Sequence, residues 1–222
     1  MTTIAIVGAG PGVGAAVARR FAREGFDVAL VSRTQSKLDS LAEQLTAEGF
    51  NARGFAADVR DRAALTGALT DAAAALSPIE VLQYSPLPHR EFLRSTPDTT
   101  IENLTAAIEF SVYGLFTATH AVLDGMRTLG RGTILLVNGG SAVRPRAAVT
   151  GTSVSFAGES AYAQTLHETL RPEGIHVAQL IIPGAIRDDD PVTNAPGIAD
   201  HMWSMHQTRT DFREFHTPMP TP

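Results

Sequence analysis

The residues with the clearest chemical potential stand at the start of the chain, in IVGAGPGVGAAVARRF. Gly8, Gly10, Pro11, Gly12, Val13 and Gly14 separate an aliphatic run from an amphipathic one, the pattern of a strand-to-helix turn. Without side chains at its glycines such a turn lets the backbone approach a pyrophosphate, and the helix N-terminus adds N–H donors and the positive end of its dipole. A dinucleotide-binding unit then places, about 20 residues further on, an acid for a ribose 2′-hydroxyl or an Arg for a 2′-phosphate. Here the second aliphatic run ends in VSRT, so Ser32, Arg33 and Thr34 hold that place. A carboxylate there would repel a phosphate, whereas a guanidinium can grip it through two parallel hydrogen bonds. The pattern predicts NADP(H) rather than NAD(H). The plainer alternatives are an Arg33 that only faces water and glycines kept by the turn alone.

A turn of this kind needs a strand before it and a helix after it, and the chain alternates them throughout. TIAIV (3–7), DVALVS (27–32), ARGFAA (52–57), IEVLQY (79–84), GTILLVN (132–138) and IHVAQLII (175–182) are aliphatic or β-branched and bounded by Gly, Pro, Asp or Asn. GAAVARRFARE (14–24) and SKLDSLAEQLTAE (36–48) repeat apolar residues at intervals of three and four, as amphipathic helices do. The alternation implies an α/β fold, a parallel sheet covered on both faces through right-handed crossovers. Residues 99–128 and 152–171 are expected to form the two longest helices. RDDDPVTNAPG (187–197) reads as a loop within a short C-terminal substrate-side segment, 187–210.

Composition sets the outer bounds. The chain has 222 residues, a formal net charge of −5 and 44% hydrophobic residues, which fits a single domain over 1–222 with a sizeable core. No basic stripe exists to hold nucleic acid or anionic lipid. There is no cysteine, so neither a thiolate site nor a disulfide framework is available. No leader and no membrane span are expected, and the reading is a cytoplasmic protein. The histidines at 120, 167, 176, 201, 206 and 216 show no ligand spacing, so no metal site is expected.

The GxxxGxG spacing, the Ser32–Arg33 pair, ADV at 57–59, GIHV, and PGAI at 183–186 together resemble the short-chain dehydrogenase/reductase family over nearly the whole chain. The resemblance implies a Rossmann-type doubly wound sheet of order 3-2-1-4-5-6-7, its last strand near FREFHT (212–217). It places Asp58 and Val59 beside the adenine, and Pro183, Gly184 and Ile186 beside the nicotinamide. Family members commonly dimerise through the two long helices, which implies a homo-oligomer built on IEFSVYGLFTATHAVL (108–123). Burial of that face inside the monomer is the other reading.

The family's proton-transfer machinery is not matched. Its Tyr and Lys, spaced YxxxK, fall on Thr152 and Phe156, its Ser on Gly139 with Ser141 two residues later, and its helix Asn on Ser111. Its Asn-Ala-Gly after the fourth strand falls on Ser85, Pro86 and Leu87, which leaves Ser85 as a cofactor contact. A Thr hydroxyl has too high a pKa to trade protons near neutrality, and Phe removes the cation that would help even a Tyr. The helix opening at TGTSVSF is therefore expected to carry nothing that holds or moves a proton. Tyr84, Tyr113 and His89 are the candidates for a relocated acid, each weak alone; Tyr162 lies too far along its helix. The short stretch after Ile186 predicts a lid too small to cover the nicotinamide side. Two classes of function stay open: an NADP(H)-dependent oxidoreductase of atypical centre acting on a small molecule, and a non-redox or non-catalytic protein that reuses the pocket.

Overall fold

TIAIV buries every one of its residues, which a strand can do only when both faces of its sheet are covered. In the computed structural model, which describes residues 1–221, this run is β1, Thr3–Val7. It is joined by β2 (Asp27–Ser32), β3 (Ala52–Ala56), β4 (Ile79–Tyr84), β5 (Gly132–Gly139), β6 (Ile175–Ile182) and β7 (Arg213–Phe215). The seven strands pair in parallel in the order β3-β2-β1-β4-β5-β6-β7, as the family resemblance implied.

Two apolar cores follow from the strand alternation. On one face Leu82, Ile134 and Val177 meet α3 (Arg62–Ala75), α5 (Gly114–Leu129) and α6 (Thr150–Leu170). On the other, Ile4, Leu30 and Leu180 meet α1 (Val13–Ala22), α2 (Gln35–Ala47) and α7 (Ala195–Thr208). The strand order reverses between β1 and β4, and a sheet of this kind opens a crevice beyond its strand ends at that point.

Three differences from the expected elements have local causes. Asn194 accepts the N–H of Gly197 at 2.8 Å and Pro196 fits the first turn, so α7 starts within the stretch expected to be loop. The long helix is α4 (Ile101–Ile108) and α5 joined by a π turn over Glu109–Tyr113, and the Tyr84 hydroxyl donates to the Phe110 carbonyl there at 2.5 Å. The whole stretch Ile101–Leu129, with a mean hydropathy of 1.3 in its most apolar window, is long and apolar enough to cross a membrane, contrary to expectation. Its Leu115, Val122 and Met126 instead pack into the core under the sheet.

Replacing Tyr84 by Phe removes the bond that holds the π turn and leaves a buried carbonyl unpaired. The expected cost is about 1–3 kcal/mol, read as a lower Tm, with nucleotide titrations of the folded variant unchanged.

Candidate active site

A cavity of about 920 Å³ opens at the carboxyl ends of β1, β4, β5 and β6. One wall is the β1–α1 turn. Gly8 has φ +99°, and a Cβ there would lie 2.6 Å from Pro86 backbone atoms, so packing alone demands glycine. Gly10 and Gly12 differ, because a Cβ on either would meet nothing within 4 Å although both line the cavity. Packing against other parts of the chain therefore does not require glycine at either position. Gly12 caps α1 with no side chain, and no acid stands in the first helical turn, so the end of the helix presents free donors and uncompensated positive charge. These residues fit a nucleotide pyrophosphate.

Of the other sequence-derived contacts, Pro11, Val13, Gly14, Ser85, Gly184 and Ile186 line the same cavity. Ser85 is fixed at the crossover by its N–H, which donates to the Val7 carbonyl at 3.0 Å. Ser32, Arg33, Thr34, Asp58, Val59 and Pro183 stand off its wall. Arg33 is exposed at the end of β2 and makes no ion pair among the described residues, so its fork is available. Thr34 occupies the N-cap of α2 without a side-chain cap bond. The Asp58 carboxylate accepts the N–H of Arg60 at 3.0 Å, and Val59 is a core residue.

The opposite wall is apolar. Thr152 lines it, but its hydroxyl donates to the Val149 carbonyl at 3.2 Å within its own helix turn. Phe156 packs with Ala142, Ile181 and Met219. Ser141 lines the cavity beside Gly139 and Asn138, whereas Ser111 is buried away from it and donates to Ser155 at 3.3 Å. None of the candidates for a relocated acid reaches the wall. Tyr84 is buried under the sheet, Tyr113 is 44% exposed beneath Arg62, and His89 faces solvent beside Glu91. Tyr162 packs at a tilt against Phe116, and burial pushes its hydroxyl up to about 12. Among the residues lining the cavity there is no Asp, Glu, Lys, His or Tyr. The open side is partly closed, contrary to expectation, because Met219 and Pro220 of the C-terminal tail fold back onto the cavity. Met219 lies 3.4 Å from where a Cβ of Gly140 would be, and Arg144 donates to the Pro220 carbonyl at 2.5 Å.

Residues 2–193 match the family model described as short chain dehydrogenase. The chain belongs to the short-chain dehydrogenase family. It is 29% identical over 185 residues to 2,3-dihydro-2,3-dihydroxybenzoate dehydrogenase of Bacillus subtilis, covering 83% of this chain and 69% of that one. A short-chain dehydrogenase from Rhodopseudomonas palustris superposes with a TM-score of 0.86 at 26% identity over 98% of both chains. A metagenomic short-chain oxidoreductase in complex with NADP superposes at 0.84 with 23% identity, over 100% of this chain and 98% of that one.

The helix that opens at TGTSVSF does carry a group able to hold a proton, which corrects the sequence reading. Glu159 is 2% exposed, three residues beyond Phe156 and seven beyond Thr152, on the helical face those two share. Desolvation pushes its carboxyl up to about 8, while hydrogen bonds from Asn138 and Ser111 pull the other way, so it is protonated at neutral pH. Asn138 donates to Glu159 at 3.2 Å and accepts from Gln179 at 2.7 Å. Gln179 in turn accepts from Ser160 at 2.7 Å and from Arg213 at 2.8 Å. The chain of bonds ties α6 to β5, β6 and β7. It does not deliver protons to the cavity, because among the described residues the Asn138 amide is the one hydrogen-bonded link between Glu159 and the wall. The i, i+4, i+7 spacing was visible in the sequence; the depth of the site was not.

The consequence for stability has a definite sign. Between the ordinary carboxyl value of 4.5 and about 8, the folded chain keeps a proton that the unfolded chain has released. This contribution is complete below the lower value and is lost as pH rises through the upper one, on the order of a few kcal/mol in all. His176, pushed down to about 4 mainly by desolvation, acts oppositely below neutrality, so the informative quantity is a difference between variants. Glu159→Gln keeps an acceptor for Asn138 and should abolish this decline: the Tm of the wild type relative to the variant falls between pH 5 and pH 8.5, and a constant difference would refute the assignment.

Proposed function

We propose that the chain binds NADP(H) and acts as an oxidoreductase that works without a tyrosine acid at the reacting carbon. The observation that carries this reading is the cradle: two glycines facing empty cavity at an uncapped helix N-terminus, with the unpaired Arg33 at the end of the neighbouring strand. Relatives with nicotinamide cofactors support it, as does the NADP held by a structural neighbour of the same fold. When bound, the nucleotide would supply a hydride or accept one. The Gly10–Gly14 backbone would hold its pyrophosphate, and Arg33 with Ser32 and Thr34 its 2′-phosphate. Asp58 and Val59 would border the adenine, and Pro183, Gly184 and Ile186 the nicotinamide.

At the substrate end the chain offers hydrogen bonds but no acid. The Ser141 hydroxyl is on the wall and has no protein partner among the described residues, so it is available to donate to a substrate carbonyl oxygen. The proton itself must come from solvent through the open mouth. Loss of a positioned general acid typically costs 10²- to 10⁴-fold in rate, so turnover is slow or the substrate needs little acid assistance. A wall with no ionisable acid also favours a second reading, in which the nucleotide is bound without redox chemistry. The exposed apolar side chains Tyr113, Phe116 and Val154 on the long helices support a homo-oligomer formed through that face.

Titration with NADPH, followed by nicotinamide fluorescence, tests the shared premise. Arg33→Gln should weaken NADPH about 10- to 100-fold and leave NADH unaffected; equal losses for both nucleotides would remove Arg33 from the site. Oxidation of bound NADPH by a panel of ketones, enones and imines separates the redox reading from the second one, which tight binding without oxidation would favour.

A further inference from the structure

Resting on that reading, we propose that the substrate is an amphipathic anion, a carbonyl compound with an apolar body and an acidic group held by Arg144 and Arg146. Both arginines line the cavity, on the loop between β5 and α6. In the proposed nucleotide site the phosphates are provided for at the glycine turn and at Arg33, so these two guanidiniums are not needed to bind them. Among the described residues neither makes an ion pair and no carboxylate lines the cavity. That local balance runs against a chain with 23 acidic and 18 basic residues. A recess lined by one sign of charge between apolar walls concentrates ligands of the opposite sign.

The loop is built to hold them. The Ser153 hydroxyl donates to the Arg146 carbonyl at 3.1 Å and accepts the Arg146 N–H at 3.0 Å, fixing the backbone of the loop to the first turn of α6. Arg144 donates one N–H to the Pro220 carbonyl at 2.5 Å, which sets its fork against the tail and leaves its other donors free. Val149, at the N-cap of α6, lines the same cavity and supplies no side-chain cap, so the positive end of the helix dipole adds to the two charges. The rest of the chamber suits a carbon skeleton. Phe156 and Met219 line its interior, and Leu87, Leu93 and Ile186 stand at its mouth at 88%, 44% and 47% exposure. A neutral polar substrate would leave both the arginines and these apolar surfaces unsatisfied.

The test uses the full chain saturated with NADPH and two probes, 4-oxo-4-phenylbutanoate and its methyl ester, with binding measured by calorimetry and turnover by NADPH absorbance. The acid should bind at least tenfold more tightly than the ester, and its advantage should shrink as salt rises. Arg144→Gln and Arg146→Gln should each lower affinity for the acid about tenfold, leave the ester and the NADPH Kd unchanged, and be partly rescued by Lys. Both side chains are exposed, and an unchanged Tm and NADPH Kd certify the fold. Equal binding of acid and ester, binding of neither, or discrimination that survives both Gln variants overturns the inference while leaving the nucleotide reading intact. Failure of NADPH itself to bind overturns that reading instead.

Discussion

The close passage of the β1–α1 turn across the end of β4 is the constraint on which the rest of the site depends. Gly8 adopts φ +99° with Pro86 so near that no side chain could intervene, and the Ser85 N–H closes the contact on the Val7 carbonyl. The contact fixes where the turn emerges from the sheet, and so where Gly10 and Gly12 face open space. A turn free to shift by an ångström would lose the alignment of its donors, since hydrogen bonds weaken steeply with misdirection. Strand order supplies the same requirement from the other side. The strand order reverses between β1 and β4, where the crossovers that follow the two strands leave to opposite faces and open a crevice.

Two buried groups with chemical potential serve the architecture of this crevice rather than its reaction. Tyr84 spends its hydroxyl on a π-turn carbonyl, and desolvation by burial raises its pKa well above the ordinary value. Glu159 spends its carboxyl on Asn138 and so locks the end of β5 to α6. A neutral, hydrogen-bonded carboxyl at such depth costs little; an ionised one would have to be desolvated without a cationic partner. The same desolvation that makes these groups unusual also keeps them from the cavity.

The inner strands were legible because they are largely aliphatic runs bounded by Gly, Pro, Asp and Asn, as a parallel sheet buried on both faces favours, whereas the part-exposed edge strand β7 (REF) has no such pattern and was placed by the family resemblance. The glycine cradle was legible for the same kind of reason, since a backbone requirement is written directly in residue type. Side-chain direction was not. Tyr113 and Tyr84 sit on the expected elements, yet one points to solvent and the other beneath the sheet, and element assignment alone does not fix which. The closing tail was illegible for a further reason. Its residues HTPMPT (216–221) carry no periodicity, and the placement of Met219 and Pro220 depends on contacts with Gly140 and Arg144 far away in sequence.

Phe156 and the tail make sense only together. An ammonium at position 156 would be surrounded by Ala142, Ile181 and Met219, with no carboxylate on the cavity wall to pair with it, and burial would drive off its proton. A phenyl ring in the same place needs apolar neighbours, and Met219 supplies a flexible one that fills the gap beside it. Once the tail lies there, its carbonyl at Pro220 meets Arg144, and the arginine is drawn to the chamber's edge rather than out into solvent. The apolar interior, the folded-back tail and the positively charged rim therefore follow from one another, and a ligand with an apolar body and an anionic end satisfies all three.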